Sequence, residues 1–584
     1  MRKKRSNPET PSAGDEYSKM NFSLLASVFF IAITTIFPLY FTRTGYSALT
    51  KDKADFFLFL TFATVAAIFI ALFITLDRKR PFHYIGKSLL NNRPIAVCEY
   101  AMGVFLLLTL ASAIASPWND FVWNGFTWDG YRGRWEGFWA FFAYGLTFLI
   151  IARFYQPKRL HFVIFACGAI VLVFYGILQY FGFDILYRIG FLIVGQADPA
   201  QRLTLQFRAT LGNINVVSAY AGLVAALFAA LYAGEKSKLG FFYLAASALA
   251  FAMLLITRGY AGFVGLFGAM GLMLPYWISS RERLAKILIV LASWSALHTL
   301  NHFYIMFLRS RPQIFWPTNP TDRNLLHHFT PSIPVLFILL TVVLLAAGLA
   351  LLLVVKKVTW PERVMKIAGL ATVGAMIIAA LLFVEIVGAR REHQPNNMVW
   401  QAREMLRGRL DDHFGNGRGW VWRAGFSVIR YNPWLGTGPD TFFFALGGVQ
   451  ILDVRYTVLN PQFVIDAGGL HFESMRVLNT WFDKAHNTFL QKAVCLGVPA
   501  LLVFLFFLGA LFVPAIKKAF NQPLLLACAA GALSFFIQSF FQVDTPIDRP
   551  VIYIVLGVMA VELSRSKSKV ESVEVDVSDV KETV

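Results

Sequence analysis

The sequence predicts an all-α polytopic membrane protein of about fourteen transmembrane helices with one long, partly helical outer loop. Three observations carry this. Of the 584 residues, 57% are hydrophobic and only 15% charged, against ~25% charged in ordinary soluble domains. The mean hydropathy of +0.58 comes from separate apolar runs of ~20 residues, each long enough to cross a ~30 Å hydrocarbon core as a helix. The Lys and Arg residues are also divided unevenly between alternate loops. A water-soluble domain is excluded.

Taken in order, Met1 to Asn21 is a polar, basic tail followed by a full-length apolar run with no small-residue cleavage site, so a retained first helix is expected rather than a signal peptide. Apolar runs between charged breaks start near residues 22, 56, 95, 136, 160, 210, 240, 260, 287, 333 and 367, giving helices one to eleven within 22–387. A long segment, 388–485, follows. Helices twelve to fourteen start near 486, 522 and 551 and end by 564, and the polar 565–584 tail is expected to be cytoplasmic and disordered. With the N-terminus inside, cytoplasmic segments such as MRKKR, DRKRPFHYIGK and SRSKSK hold 28 of the 53 Lys and Arg. This satisfies the positive-inside rule with both termini in the cytoplasm. The net charge of +19 therefore reflects sidedness, and no nucleic-acid partner is expected. Cys98, Cys167, Cys495 and Cys528 lie in apolar runs without paired spacing, which indicates neither a disulfide scaffold nor a thiolate metal site.

Segment 388–485 differs chemically from the cytoplasmic loops. It holds 10 Arg and one Lys, Lys484, whereas the cytoplasmic set holds 17 Lys and 11 Arg. Guanidinium offers a planar, permanently charged fork for phosphate or carboxylate, so an anion-binding outer face is the natural reading. The competing reading is Arg snorkelling from interfacial helices or paired with the segment's nine acids. Helical stretches are predicted at Met398 to Leu410, with Arg403 and Arg407 on one face toward lipid headgroups, and at Trp420 to Tyr431.

Four clusters combine polar residues with helix boundaries. RATLGNINVVSAYAG holds Arg208, Gly212, Asn213 and Asn215. ITRGYAG turns through Arg258. GRGWVWRAGFSVIRYNPWLGTGPDTFF holds Arg418, Arg423, Gly436 and Gly438. DKAHNTFLQKAVCLGVPALL opens helix twelve with His486 and Asn487. Asp411 and Asp412 are adjacent, but neighbours on a helix diverge by ~100° and form no carboxylate clamp alone, so no metal is expected. No P-loop or Rossmann glycine pattern accompanies them, and no nucleotide cofactor is expected.

These clusters, in this order, resemble the O-antigen ligase family, which includes lipopolysaccharide ligases, O-antigen polymerases and protein O-oligosaccharyltransferases. The family pattern is an Arg followed by Gly, Asn and Asn at a helix start, an Arg-Gly turn, an Arg and Trp stretch leading to Leu-Gly-x-Gly-Pro, and a His-Asn-x-x-Leu-Gln helix ending in Gly. Matches run from Arg208 to about Leu502; the chain departs at Ile214, where Pro is common, and at Thr257, where Ser often precedes the Arg. The resemblance implies a GT-C-like membrane glycosyltransferase. It would move a glycan from an undecaprenyl-diphosphate carrier to an acceptor hydroxyl of a lipid, glycan or protein, at the outer face of the bilayer, inverting and metal-independent.

The residues themselves supply reasons for such roles. Breaking a bond to a lipid diphosphate leaves charge that Arg can stabilise. Arg258, Arg418 and Arg423 are the first candidates for the diphosphate and Arg208 the next. Arg258 and Arg423 are also assigned to catalysis. The acceptor oxygen must lose a proton, and His486, expected at the positive end of a helix and near Arg, is the candidate base. His471, His413 and His393 rank below it. Asn213, Asn215 and Asn487 are supporting polar groups, and Gly436 and Gly438 are expected to shape a tight turn. Simpler readings are helix-flanking Arg208 and Arg258, ion-paired Arg418 or Arg423, and a helix-capping His486. A secondary transporter or lipid flippase is a further alternative, disfavoured because the notable residues lie at one boundary rather than at the bilayer midplane.

Overall fold

A computed structural model describes residues 13–42, 48–74, 96–125, 134–180, 209–257, 259–310, 334–354, 359–391, 397–446 and 482–581. The described residues form helices and turns and contain no strand. This is the predicted class: an all-α polytopic membrane protein. Among the described residues, eleven helices are long and apolar enough to cross a membrane, from Phe22–Leu39 to Pro523–Phe541. Two further apolar helices, Phe138–Phe154 and Tyr260–Leu272, are shorter. The last helix, Arg549–Lys581, buries its apolar first half, from Val551 to Val561. Each of the fourteen predicted starts falls inside or within four residues of an observed helix, because a helix whose length matches the apolar run satisfies its own backbone hydrogen bonds.

Helix Ile214–Gly234 is the centre of the bundle, 89% buried, and packs against Gly240–Thr257, Tyr260–Leu272 and Pro523–Gln538. Its sequence, LVAALFAALYAG, explains that position, since small Ala and Gly side chains let neighbouring helices approach closely. Pro334–Leu353 and Glu362–Arg390 lie at the opposite extreme, each 6% buried. Their Leu, Val and Ile side chains point away from the protein, as hydrocarbon contact requires.

Three details differ from the sequence-based expectations. The region read as helix twelve is broken: a short helix, Thr488–Leu496, stops at Gly497 (φ +87°), and the long apolar helix begins only at Val498. The cations of helix Met398–Leu406, expected to face lipid headgroups, are engaged with a carboxylate. Arg403 is buried, and both Arg403 (3.2 Å) and Arg407 pair with Glu385 of the preceding helix. The stretch read as a disordered tail continues as helix through Lys581.

Candidate active site

The site is built where helix Phe414–Tyr431 lies against residues 482–496. Along that helix Arg418, Trp422 and Gly425 follow at i, i+4 and i+7 and so share a face. The Trp422 indole donates to the Ala485 carbonyl (3.1 Å), and Gly425 packs on Leu490. Trp420 stacks on Phe482, whose ring meets His486 edge-on at 5.8 Å. Helix and loop are thereby locked together around the imidazole.

His486 is not the helix cap. Asn487 fills that role, its side chain accepting from the amides of Phe489 and Leu490, both at 3.0 Å. His486 precedes it in a left-handed backbone conformation, φ +52°. A bulky residue adopts this only where its surroundings hold it there. Its Nδ1 lies 3.0 Å from the Lys484 carbonyl oxygen. A carbonyl can only accept, so Nδ1 carries the proton and Nε2 is left as the acceptor. Burial, and then the guanidiniums of Arg418 and Arg134, hold its pKa below the usual 6.5, against the opposing pull of the Lys484 carbonyl and Asp483. The sequence suggested the helix dipole and nearby Arg as the cause; burial is the larger one.

Arg418 and Arg423 differ in setting. Arg418 is largely buried and donates from Nη1 to the Gly415 carbonyl (2.8 Å), while its Nε finds no partner among the described residues. Burial lowers its pKa, so an anion arriving beside it would relieve a desolvated charge. Arg423 is 55% exposed and ion-paired with Asp412. The neighbouring Asp411 accepts from the His413 amide at 2.9 Å. His413 itself is exposed.

The two glycines of the Leu-Gly-x-Gly-Pro block have a steric reason. Gly436 (φ +64°) and Gly438 (φ +116°) occupy backbone conformations that side chains rarely adopt. A Cβ would fall 2.5 Å from the Cys495 backbone at the first and 2.5 Å from Ser116 Oγ at the second. The turn they permit runs against the broken helix. The amides of Thr437 and Gly438 donate to the Val494 and Cys495 carbonyls, at 3.1 and 2.8 Å, and that of Val498 to Pro433 (2.8 Å).

Arg208 and Arg258 lie outside the described residues, as do His393 and His471. Their described neighbours are fixed as follows. Thr210 donates to the Pro38 carbonyl (2.6 Å), Asn213 caps helix Ile214–Gly234 by accepting from the Asn215 amide (2.8 Å), and the Asn215 carbonyl accepts from Gln538 (3.2 Å). Helix Tyr260–Leu272, just after position 258, packs Gly262 on Ser218, which Gln538 also reaches at 3.4 Å. From Gln538 the chain runs directly to residues 541–549, where Phe541 faces Trp422 and Asp544 binds Thr488 and Lys492. The first two clusters are thus connected to the His486 loop through packed side chains.

Buried charge was the part missed by sequence reading. Lys484, 1% exposed, is held between Glu136 (3.0 Å) and Asp440. Asp440 Oδ2 also accepts from the amides of Arg134 (2.8 Å) and Glu136 (3.2 Å). Burial pushes Glu136 up to about 7, and it raises Asp440 too despite the ammonium beside them. For Lys484 burial works against the charge, and the two carboxylates outweigh it and raise its pKa. A second cluster joins Lys492 to Asp544 (2.8 Å), and Arg549 to Asp544 and to Thr488 Oγ1 (2.7 Å). The available signal was Lys492, a lone cation in an apolar helix, which required a buried carboxylate.

Fold and site together define a class: an all-α polytopic membrane protein with an oriented imidazole set among guanidiniums. Residues 335–505 match a family model described as O-antigen ligase, and this match supports the O-antigen ligase family that the motifs resemble. It also supports, at the level of class, a membrane glycosyltransferase of the ligase or polymerase type. The matched stretch contains Arg418, Arg423, Gly436, Gly438, His486 and Asn487. Comparison with curated proteins finds no match.

Proposed function

We propose that the protein transfers a saccharide from an undecaprenyl-diphosphate-linked donor to an acceptor hydroxyl at the outer face of the plasma membrane, with inversion and without a metal. One observation carries the reading: His486 Nδ1–H donates to the Lys484 carbonyl and leaves Nε2 as a proton acceptor on a ring that feels the charge of Arg418. In a single displacement the acceptor oxygen bonds to the anomeric carbon and gives its proton to Nε2, while the bond from that carbon to the diphosphate oxygen breaks. The electron pair leaves with the diphosphate, where Arg418 meets it, with Arg208, Arg258 and Arg423 as further donors. The adjacent carboxylates of Asp411 and Asp412 are engaged with the His413 amide and Arg423, which argues against their use as a metal clamp. The same chemistry serves a ligase, a glycan polymerase or a protein O-oligosaccharyltransferase, which differ only in the source of the hydroxyl.

In vitro transfer by purified protein from a synthetic donor tests this. Arg258→Lys and Arg418→Lys keep charge but lose the fork, and each is expected to cost about 2 to 4 kcal/mol of transition-state stabilisation, a ~30- to 1000-fold loss. Arg423→Lys is expected to lose less, because its half-exposed guanidinium already serves Asp412. Full activity in both Arg258→Lys and Arg418→Lys would reject a bidentate diphosphate clamp. The sidedness in this reading has its own test. A cysteine at position 397 should react with an impermeant thiol reagent on intact cells, and one at 568 only after permeabilisation; the opposite pattern reverses the topology.

A further inference from the structure

We propose that Arg134 is an additional diphosphate-binding residue of the site, presenting its terminal guanidinium nitrogens to the lipid-diphosphate donor; this rests on the diphosphate reading above. Arg134 belongs to neither the four motif clusters nor the matched stretch 335–505. Three observations place it at the site. Its Nε donates to Asp483 at 2.5 Å, three residues before the candidate base. Its charge is one of the two guanidiniums that depress the pKa of His486, the other being that of Arg418. Its backbone is anchored, since its amide donates to Asp440 Oδ2, and the same carboxylate group grips the buried ammonium of Lys484.

What remains of the side chain is suited to an anion. Among the described residues the only hydrogen bond of the guanidinium is the one from Nε to Asp483, and the side chain is 41% exposed. The Nη1 and Nη2 fork is therefore available on a side chain already oriented at its other nitrogen. A guanidinium held in that way loses little freedom when it takes two phosphate oxygens. The buried Lys484, Glu136 and Asp440 group gives the arrangement rigidity, because it joins the 134–136 segment to the 484–486 loop directly.

Binding of undecaprenyl diphosphate to purified protein in phosphatidylcholine nanodiscs, measured calorimetrically, separates this role from catalysis. A matched titration with phosphatidylglycerol distinguishes the donor diphosphate from a phospholipid headgroup. Arg134→Gln and Arg134→Lys are both expected to weaken undecaprenyl diphosphate by roughly 10- to 100-fold, the size of a lost charge-assisted hydrogen-bond pair, and to leave phosphatidylglycerol binding unchanged. Lys can keep the pairing with Asp483 but has no fork, so wild-type affinity in Arg134→Lys would show that the residue only braces Asp483 and overturns the proposal. An equal loss for both lipids overturns it as well, assigning the fork to headgroups. If Arg418→Gln weakens binding and Arg134→Gln does not, the proposal fails and the diphosphate reading stands. If neither variant weakens binding, both fail.

Discussion

Replacing His486 by Ala is expected to lower glycosyl transfer by about 10²- to 10⁴-fold, the usual contribution of a general base, while protein yield and binding of lipid-linked donor stay near normal. Nδ1 is committed to the Lys484 carbonyl, so the ring has one remaining acceptor, and removing the ring removes it. His486→Asn is the companion variant, because Asn tolerates the left-handed backbone at φ +52° and cannot act as the base. The pH dependence has a definite sign. The working form is the neutral imidazole, so the rate should rise with pH through one ionisation and then level. Burial and the guanidiniums of Arg418 and Arg134 place that ionisation below the ordinary 6.5. Activity is lost only as acid protonates the ring. If either variant keeps more than about a tenth of the parent rate, another group takes the proton, and His471 is the next to test. A rate that falls as pH rises through this range would also reject His486 as a neutral base.

The second large effect is on stability. Lys484→Met is expected to destabilise the fold by about 3 to 5 kcal/mol, the cost of removing one partner from a buried ion pair. Glu136 and Asp440 would be left facing each other without the ammonium that joins them. Burial already pushes Glu136 up to about 7, so it would take a proton, and Asp440 would have to be neutralised as well. Thermal unfolding in detergent measures the loss. Adding Glu136→Gln and Asp440→Asn to Lys484→Met should recover much of it, since the buried charges are then removed together. For a chain of 584 residues the usual per-residue unfolding entropy turns this loss into a shift of about 2 to 4 °C. Unfolding of Lys484→Met within about 0.5 °C of the parent, less than one kcal/mol on that scale, would mean that the ion pair is not buried as described.

The fourteen apolar runs were legible from the chain because hydrophobic length is a local property. A run of ~20 apolar residues has no other soluble solution and forms a helix wherever its neighbours lie. Of the site's local parts, the turn at Gly436 and Gly438, which a side chain would block, was legible as well. The helix caps were not: Asn213 and Asn487 were read as supporting polar groups, and both prove to cap the helices that follow them. The break at Gly497 was not legible in hydrophobic length, since the apolar run continues through it; only the motif resemblance, a His-Asn helix ending in Gly, pointed to it. The kink is held by the 433–438 turn, which donates to the carbonyls of Val494 and Cys495 before it and accepts from the Val498 amide after it.

Which charges meet was decided only by the tertiary structure. The sequence reading turned Arg403 and Arg407 toward lipid headgroups and treated Arg418 and Arg423 alike as diphosphate candidates. Packing gives Arg403 and Arg407 to Glu385 and Arg423 to Asp412, and it partly buries Arg418, whose charge acts on the imidazole. Lys484 finds Glu136 from 348 positions away, and Lys492 finds Asp544 from 52. Such pairs have no periodicity for a sequence to display. Each partner alone is an isolated charge near an apolar run, and only the low-dielectric interior, where an unpaired charge is expensive, forces the match.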